Sequence, residues 1–208
     1  MEELSPSAKF VVGLGNPDRR HQGTRHNVGF MVLRELRRRW DFGRGKSKFH
    51  GRCWTGSIAA QPVTLLAPET YMNRSGLAVA EMMSFYRADA AAALIVMDDM
   101  ALPTGRLRAR AGGSAGGHKG LADILQAVGT DALPRFRVGI GAPPEGIDAV
   151  DYVLGKFQKD EKPVMLEAIT QAANAVEDWL AKGIHYVMNR YNQNASTLTD
   201  PEQDGKDL

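Results

Sequence analysis

The chain has 208 residues, 43% hydrophobic and 24% charged, which is the composition of one folded globular domain and excludes a disordered or fibrous protein. No apolar run approaches the ~20 residues of a membrane span, and the first residues (MEELSP) lack the basic and apolar regions of a signal peptide. The single cysteine, Cys53, excludes an intrachain disulfide. We therefore expect a cytoplasmic protein with no membrane association. The formal net charge of +2 hides an uneven distribution, since residues 9–192 hold 25 basic and 18 acidic residues and suit an anionic partner.

The chain divides into three predicted parts: a flexible N-terminus over 1–8, one domain over 9–192 and a disordered acidic tail over 193–208. Apolar runs predict strands over 9–14, 54–60, 62–66, 94–98, 106–110 and 136–140. Helical periodicity predicts helices over 28–40, 77–86, 121–128 and 161–182, with Asn27 as an N-cap and with Gly129 and Gly183 as the ends of the last two. This interleaving predicts a single-domain three-layer α/β/α sandwich around a mixed, mostly parallel twisted sheet.

The segment VGLGNP (12–17) ends the first predicted strand. It is not a dinucleotide-binding loop, because the third glycine of that motif is missing and no helix begins there. A tight turn is one interpretation. The other is that Asn16, at the carboxyl end of a strand, binds a polar group of a substrate, since ligands bind at that end of open α/β sheets.

His26, in TRHNVG (24–29), is the candidate for proton transfer, because an imidazole has a reference pKa of about 6.5. A single histidine is more often structural or solvated, and that alternative stays open here.

Two more polar segments follow predicted strands. In TYMNRSG (70–76), Asn73 or Ser75 could cap the next helix, and Tyr71 could belong to the core. Asp98 ends an apolar run, where a carboxylate can orient a histidine, bind a metal or simply terminate the strand. Metal binding is the weaker option, because no second acid or histidine lies at ligand spacing.

The segment RLRAR (106–110) alternates basic and apolar residues and is followed by GGSAGGHKG (112–120), which contains no acid. Backbone N–H groups of a glycine-rich loop, with His118 and Lys119, can bind phosphate, although arginines on a strand are also typical of a solvated sheet edge. No nucleophile motif is present, so any hydrolysis is expected to use activated water.

Taken in order, VGLGNP, TRHNVG, TYMNRSG, LPTGRLR (102–108), GGSAGGHKGL (112–121) and FRVGIG (136–141) resemble the bacterial peptidyl-tRNA hydrolase family over about residues 9–191. The resemblance implies hydrolysis of the ester between a peptide, or an N-blocked amino acid, and tRNA, with recycling of prematurely released peptidyl-tRNA. It implies no cofactor and no metal, and we expect a monomer.

The resemblance also implies roles for individual residues. His26 would activate water, Asp98 would stabilise His26, and Asn16 would lie beside the ester. The residues implied to bind substrate or tRNA are His21, Tyr71, Asn73, Arg108, Arg110, Lys119 and Arg137.

Three positions depart from the pattern of the family. His21 stands where tyrosine is usual, Lys119 where asparagine is usual, and Ala101 where a second acid is common. Lysine cannot accept a hydrogen bond as an amide does, and Asp99 could compensate for the missing acid, although alternation along a strand should point its side chain elsewhere. We expect these changes to alter tRNA contacts rather than abolish the chemistry. The alternative functions are a non-catalytic RNA-binding relative of the same fold and a metal-dependent esterase or amidase.

Overall fold

The computed structural model describes residues 8–193. The strands within that range are β1 (Lys9–Gly13), β2 (Lys46–Lys48), β3 (Gly51–Ile58), β4 (Gln61–Pro68), β5 (Ala93–Asp99), β6 (Leu107–Arg110) and β7 (Arg135–Gly139). The helices are α1 (Val28–Arg39), α2 (Ser75–Tyr86), α3 (Lys119–Val128), α4 (Ala149–Leu154) and α5 (Glu161–Tyr191). None of these helices is both long and apolar enough to cross a lipid bilayer. Apart from Ala8 and Gln193, the predicted flexible N-terminus and acidic tail lie outside the described residues.

The seven strands form one sheet in the order β2-β3-β4-β1-β5-β7-β6. The central strands β4, β1, β5 and β7 are parallel, and the outer pairings are antiparallel. The predicted α/β class with a mixed sheet is therefore confirmed. Strands β1 and β5 lie in the middle of the sheet and are covered on both faces, which explains why their sequences are almost continuously apolar. Their carboxyl ends meet at the same edge, where the polar segments follow.

Helices α1 and α5 cover one face of the sheet, and α2 and α3 cover the other. Helix α1 buries Val28, Val32 and Leu36 and exposes arginines on its opposite side. Gly29, in its first turn, lies against the end of β1, where an added Cβ would come within 2.3 Å of the Leu14 nitrogen. This close approach fixes the start of α1, and the turn before it, against the carboxyl end of β1.

Several local predictions need correction. The side chain of Asn27 does not cap α1, because it is bonded to the backbone of Asn16. Gly183 has a φ of 79° and interrupts the helix, but the chain resumes a helical path as far as Tyr191. Arg106 precedes β6 instead of belonging to it, and its guanidinium donates to the Asn192 carbonyl oxygen at 2.7 Å. The predicted end of α3 is confirmed, with Gly129 in the left-handed region.

Candidate active site

The carboxyl end of β1 continues into a turn that carries Asn16. The Asn16 N–H donates to Asn27 Oδ1 at 2.8 Å, and the Asn27 side-chain amide donates back to the Asn16 carbonyl oxygen at 2.9 Å. These buried bonds join the end of β1 to the short 3-10 turn Arg25–Asn27. Because His26 is the middle residue of that turn, the two bonds hold His26 at the carboxyl edge of the sheet.

The side-chain amide of Asn16 has a defined orientation. Its Oδ1 accepts a hydrogen bond from the Met72 N–H at 3.0 Å. The Nδ2 group is therefore the end left to face the cleft that Asn16 lines. An –NH₂ donor in that position can bind a carbonyl oxygen of a ligand.

Asp98, near the carboxyl end of β5, lies between two histidine rings. His26 Nδ1 is 3.0 and 2.9 Å from the two carboxylate oxygens, and His118 Nε2 is 3.1 Å from Oδ1. Asp98 is only 2% exposed, whereas the His26 side chain retains 14% exposure. We refer to His26, Asp98 and His118 as the histidine–aspartate cluster.

A backbone contact of His118 settles where its proton lies. Its Nδ1 accepts from the Leu121 N–H at 3.1 Å and so caps the start of α3. A ring nitrogen that accepts carries no proton, so His118 carries its proton on Nε2 and donates it to Asp98. His26 likewise donates from Nδ1 to Asp98, and its Nε2 keeps a lone pair. A general base needs this arrangement.

The two imidazoles determine the charge of Asp98. Burial alone would raise the pKa of this carboxyl, but the interaction with His118 and the hydrogen bonds from both histidines outweigh burial and hold the pKa well below its ordinary value of 3.8. Asp98 is therefore ionised at neutral pH. Because its pKa is lower in the folded state, its contribution to stability is present above pH 3.8 and is lost as the pH falls towards the folded-state pKa.

The fold also creates a set of metal-ligand types that sequence spacing did not predict. Ring nitrogens of His26 and His118 and a carboxylate oxygen of Asp98 all lie within 4.8 Å of one another. Two histidines and one carboxylate are a known ligand set for transition metals. However, a metal on His118 Nε2 would move the proton to Nδ1, where it would face the Leu121 N–H and leave two donors opposed. The donors thus fit proton transfer better than metal binding.

The histidine–aspartate cluster opens into a cleft of about 950 Å³. Most of the residues singled out from the sequence line this cleft: Asn16, His21, His26, Tyr71, Asn73, Asp98, Arg110, Lys119 and Arg137. Arg108 does not line the cleft and lies opposite Arg137 in the pairing of β6 with β7. The fold thus brings nine of these ten residues together, while their individual roles remain predictions.

The basic side chains that line the cleft include Arg20, Arg110, Lys119 and Arg137, and we call these four residues the basic rim. Arg137 forms an ion pair with Asp99, whose Oδ1 also accepts from the Ala101 N–H at 2.8 Å. Asp99 points away from the histidines, as alternation along the strand predicts. Its carboxylate instead pairs with Arg137 and lies close to Ala101, the position where the family commonly has an acid.

The glycine-rich loop over 112–118 forms another wall of the cleft. Gly113, Gly116 and Gly117 all have positive φ values, which residues other than glycine rarely adopt. Arg135 fixes this loop, because its buried guanidinium donates to the backbone carbonyls of Gly113 and Ser114 and also to those of Asp131 and Leu133. The loop is therefore tethered to β7 by a buried cation that the sequence did not single out.

The outer edge of the cleft carries exposed polar and aromatic side chains. Tyr71 is 51% exposed, and its hydroxyl donates to Asp18 Oδ2 at 3.2 Å. His21 Nδ1 lies 3.7 Å from the same carboxylate oxygen. Asn73 is also exposed, and it caps no helix, because the first free N–H of α2, that of Gly76, donates to Asp123 Oδ2 at 2.6 Å. Tyr71 and Asn73 therefore project towards the entrance and do not belong to the core.

Besides Arg135, two parts of the site were not predicted from the sequence. His118 appeared only as part of a phosphate-binding loop, because nothing in the 20-residue spacing to Asp98 indicates contact. Helix α4, which supplies an apolar wall of the cleft, is only six residues long and shows no readable periodicity.

Comparison with known proteins places the chain among proteins of one family. The family model described as peptidyl-tRNA hydrolase matches residues 10–199. A peptidyl-tRNA hydrolase of Bacillus pumilus is 46% identical over 182 residues, which cover 88% of this chain and 97% of the relative. The corresponding protein of Bacillus subtilis is 43% identical, with the same coverage. A crystal structure of peptidyl-tRNA hydrolase from Acinetobacter baumannii matches with a TM-score of 0.84 and 36% identity, over 89% of this chain and 95% of that one.

Proposed function

The chain belongs to the peptidyl-tRNA hydrolase family and hydrolyses peptidyl-tRNA, and we propose that a water molecule activated by His26 is the nucleophile. The observation that carries this mechanism is the hydrogen bonding of the histidine–aspartate cluster. Asp98 accepts from His26 Nδ1 and His118 Nε2, which leaves His26 Nε2 as the unprotonated nitrogen at the cleft.

The proposed reaction begins with a water molecule bound to His26 Nε2. Its oxygen attacks the ester carbonyl carbon while one of its protons moves to Nε2, and the Asp98 carboxylate stabilises the resulting imidazolium. The tetrahedral intermediate then expels the ribose oxygen of tRNA, which takes the proton from Nε2. The products are a tRNA hydroxyl and the peptide carboxylic acid, which releases its proton to solvent to become the carboxylate, and the site returns to its starting state.

Two amides are placed to bind the acyl part of the substrate. The Asn16 Nδ2 group faces the cleft because Met72 occupies its Oδ1. Asn73 lies on the same side of the cleft, one residue after Met72. Donors of this kind can polarise the ester carbonyl or bind the amide carbonyl of an N-blocked amino acid. We therefore propose that Asn16 contributes to both catalysis and the choice of substrate.

A covalent intermediate has no support in the geometry. Within residues 8–193, Asp98 is the side chain that hydrogen-bonds to a ring nitrogen of His26, so no serine or cysteine pairs with this base. Cys53 is buried in β3 outside the cleft, and burial raises the pKa of its thiol to about 11. Water is the nucleophile that fits.

We further propose that the basic rim, together with Arg108, holds the tRNA phosphates, that the protein acts as a monomer, and that it works in the cytoplasm. The substrate class arises on ribosomes, which supports the location.

The double substitution Arg108→Gln with Arg110→Gln tests this surface. We expect weaker tRNA binding and a slope of log K against log salt that is shallower by about two, since each phosphate contact contributes about one. A filter-binding titration measures both quantities. The matched control, Arg34→Gln with Arg38→Gln, removes two exposed charges from α1 outside the cleft and should leave the slope unchanged. An unchanged slope in the first variant would place the tRNA elsewhere.

Hydrolysis of blocked and unblocked substrates tests the proposed function. In the presence of a chelator, the enzyme should release the acyl group from N-acetyl-aminoacyl-tRNA more than about tenfold faster than from aminoacyl-tRNA, because a free ammonium group offers no acceptor to a buried donor such as Asn16. Tight tRNA binding without release would indicate a non-catalytic RNA-binding protein, and release that the chelator abolishes would indicate a metal enzyme.

A further inference from the structure

Arg25 precedes His26 in the same turn, and its guanidinium connects that turn to a distant part of the chain. Its NH2 group lies 2.6 Å from Glu161 Oε2, at the start of α5, and its NH1 group donates to the Lys156 carbonyl oxygen at 2.7 Å. Arg25 is 5% exposed, so this ion pair is largely removed from water. Losing one partner of such a pair leaves an uncompensated charge.

Further contacts join the same two segments. The Arg25 guanidinium lies over the ring of Tyr152 at 4.3 Å and near that of Phe157 at 5.2 Å. The Arg25 N–H donates to the Gly155 carbonyl oxygen at 2.9 Å, and an isolated bridge pairs Thr24 with Lys156. The turn that holds His26 is therefore fastened to the whole segment between α4 and the start of α5.

That segment carries a wall of the cleft. Helix α4 lines it with Ala149, Val150, Val153 and Leu154, and Val150 is 48% exposed. A helix of six residues is not stable by itself and depends on tertiary contacts. Those contacts include the burial of Val153 in the core, the stacking of Tyr152 on Arg25 and the hydrogen bond from the Tyr152 hydroxyl to the Ile140 carbonyl oxygen at 2.7 Å. The position of the apolar wall thus depends on the residue next to His26.

We propose that Arg25 and Glu161 are positioning residues that hold the α4 wall at a fixed place relative to His26, and that this wall binds apolar side chains of the esterified amino acid. The inference rests on the proposed function, because it takes His26 as the base. Arg25 and Glu161 act through the wall and the turn and do not touch the reacting atoms. An amino acid with a large apolar side chain gains from the wall, whereas glycine does not reach it.

The substitution Glu161→Gln separates this role from a general effect on stability. It keeps the volume of the side chain and an acceptor for Arg25 but removes the charge. We expect kcat/KM on N-acetyl-leucyl-tRNA to fall about tenfold and kcat/KM on N-acetyl-glycyl-tRNA to fall less than about threefold. The matched control is Glu81→Gln. It removes an exposed carboxylate of α2 that pairs with His50, and it should change kcat/KM on neither substrate.

Equal losses on the two substrates would overturn the proposal, because a purely structural role lowers the fraction of folded enzyme for both alike. Arg25→Lys with Glu161→Gln provides a second test: the double variant should lose no more activity than the worse single variant, and losses that multiply would overturn the coupling. If Glu161→Gln does not fold, Tyr152→Leu removes both the stacking contact with Arg25 and the hydrogen bond to the Ile140 carbonyl oxygen, and it should show the same dependence on substrate. Failure of the wild-type enzyme on both substrates would instead contradict the proposed function.

Discussion

Replacing His26 with alanine should lower kcat by about 10²- to 10⁴-fold, the range expected for loss of a general base. The imidazole is the group whose Nε2 can take a proton from water, because its Nδ1 is committed to Asp98. The affinity for tRNA should stay within a factor of about three, since binding to the basic rim does not depend on His26. The variant therefore separates chemistry from binding.

Single-turnover hydrolysis of N-acetyl-aminoacyl-tRNA measures this effect, and a parallel binding titration gives the affinity. His50→Ala is the matched control, because His50 lies outside the cleft, where it pairs with Glu81. Turnover near the wild-type value in His26→Ala would assign the base to another group.

Replacing Asp98 with asparagine should cost about 10³- to 10⁴-fold in kcat, because it reverses the hydrogen bonding of His26. The Leu121 N–H keeps the proton of His118 on Nε2, so the new amide must turn its oxygen to His118. Its –NH₂ group then faces His26 Nδ1, which has to accept. The His26 proton moves to Nε2, and the base loses the lone pair that would take a proton from water.

The same kinetic assay tests Asp98→Asn, with Asp99→Asn as its neighbouring control. Asp99 pairs with Arg137 and does not contact the histidines, so its replacement should lower kcat less than about tenfold. Asp98→Asn that keeps more than about a tenth of kcat would show that the tautomer of His26 does not depend on this carboxylate.

The elements with a strong local pattern could be predicted from the sequence. β1 and β5 are nearly continuous apolar runs because both faces of the central sheet are covered. Gly129 ends α3 because it adopts the left-handed conformation that other residues avoid. In each case the residues that form the local pattern are also the residues whose burial or backbone conformation determines the element.

Elements that depend on distant partners could not be predicted. Helix α4 is held by Arg25, more than 120 residues earlier in the chain, and so carries no pattern of its own. Asn27 has the residue type of an N-cap, but its side chain satisfies the backbone of Asn16 instead. Both cases are tertiary contacts that override a local preference.

The candidate site also contains some residues whose positions the sequence predicts and others whose positions depend on distant contacts. The position of Asn16 and Asp98 at the ends of strands predicts that they lie at one edge of the sheet, because parallel strands end together. The pairing of Asp98 with His26 entered through the resemblance to a family, since these two residues are 72 positions apart. The contact of His118 with Asp98 required the path of the glycine-rich loop, which Arg135 tethers through backbone carbonyls.

Asp98 acts by orienting His26 in this mechanism, and the double variant His26→Ala with Asp98→Asn gives the most direct test of that role. If the two residues form one unit, Asp98→Asn should change kcat less than about threefold once His26 is absent, although it costs about 10³- to 10⁴-fold in the wild-type enzyme. Single-turnover rates of the wild-type enzyme, the two single variants and the double variant give the comparison. Losses that multiply, with the double variant slower than His26→Ala by the full factor of Asp98→Asn, would contradict the account.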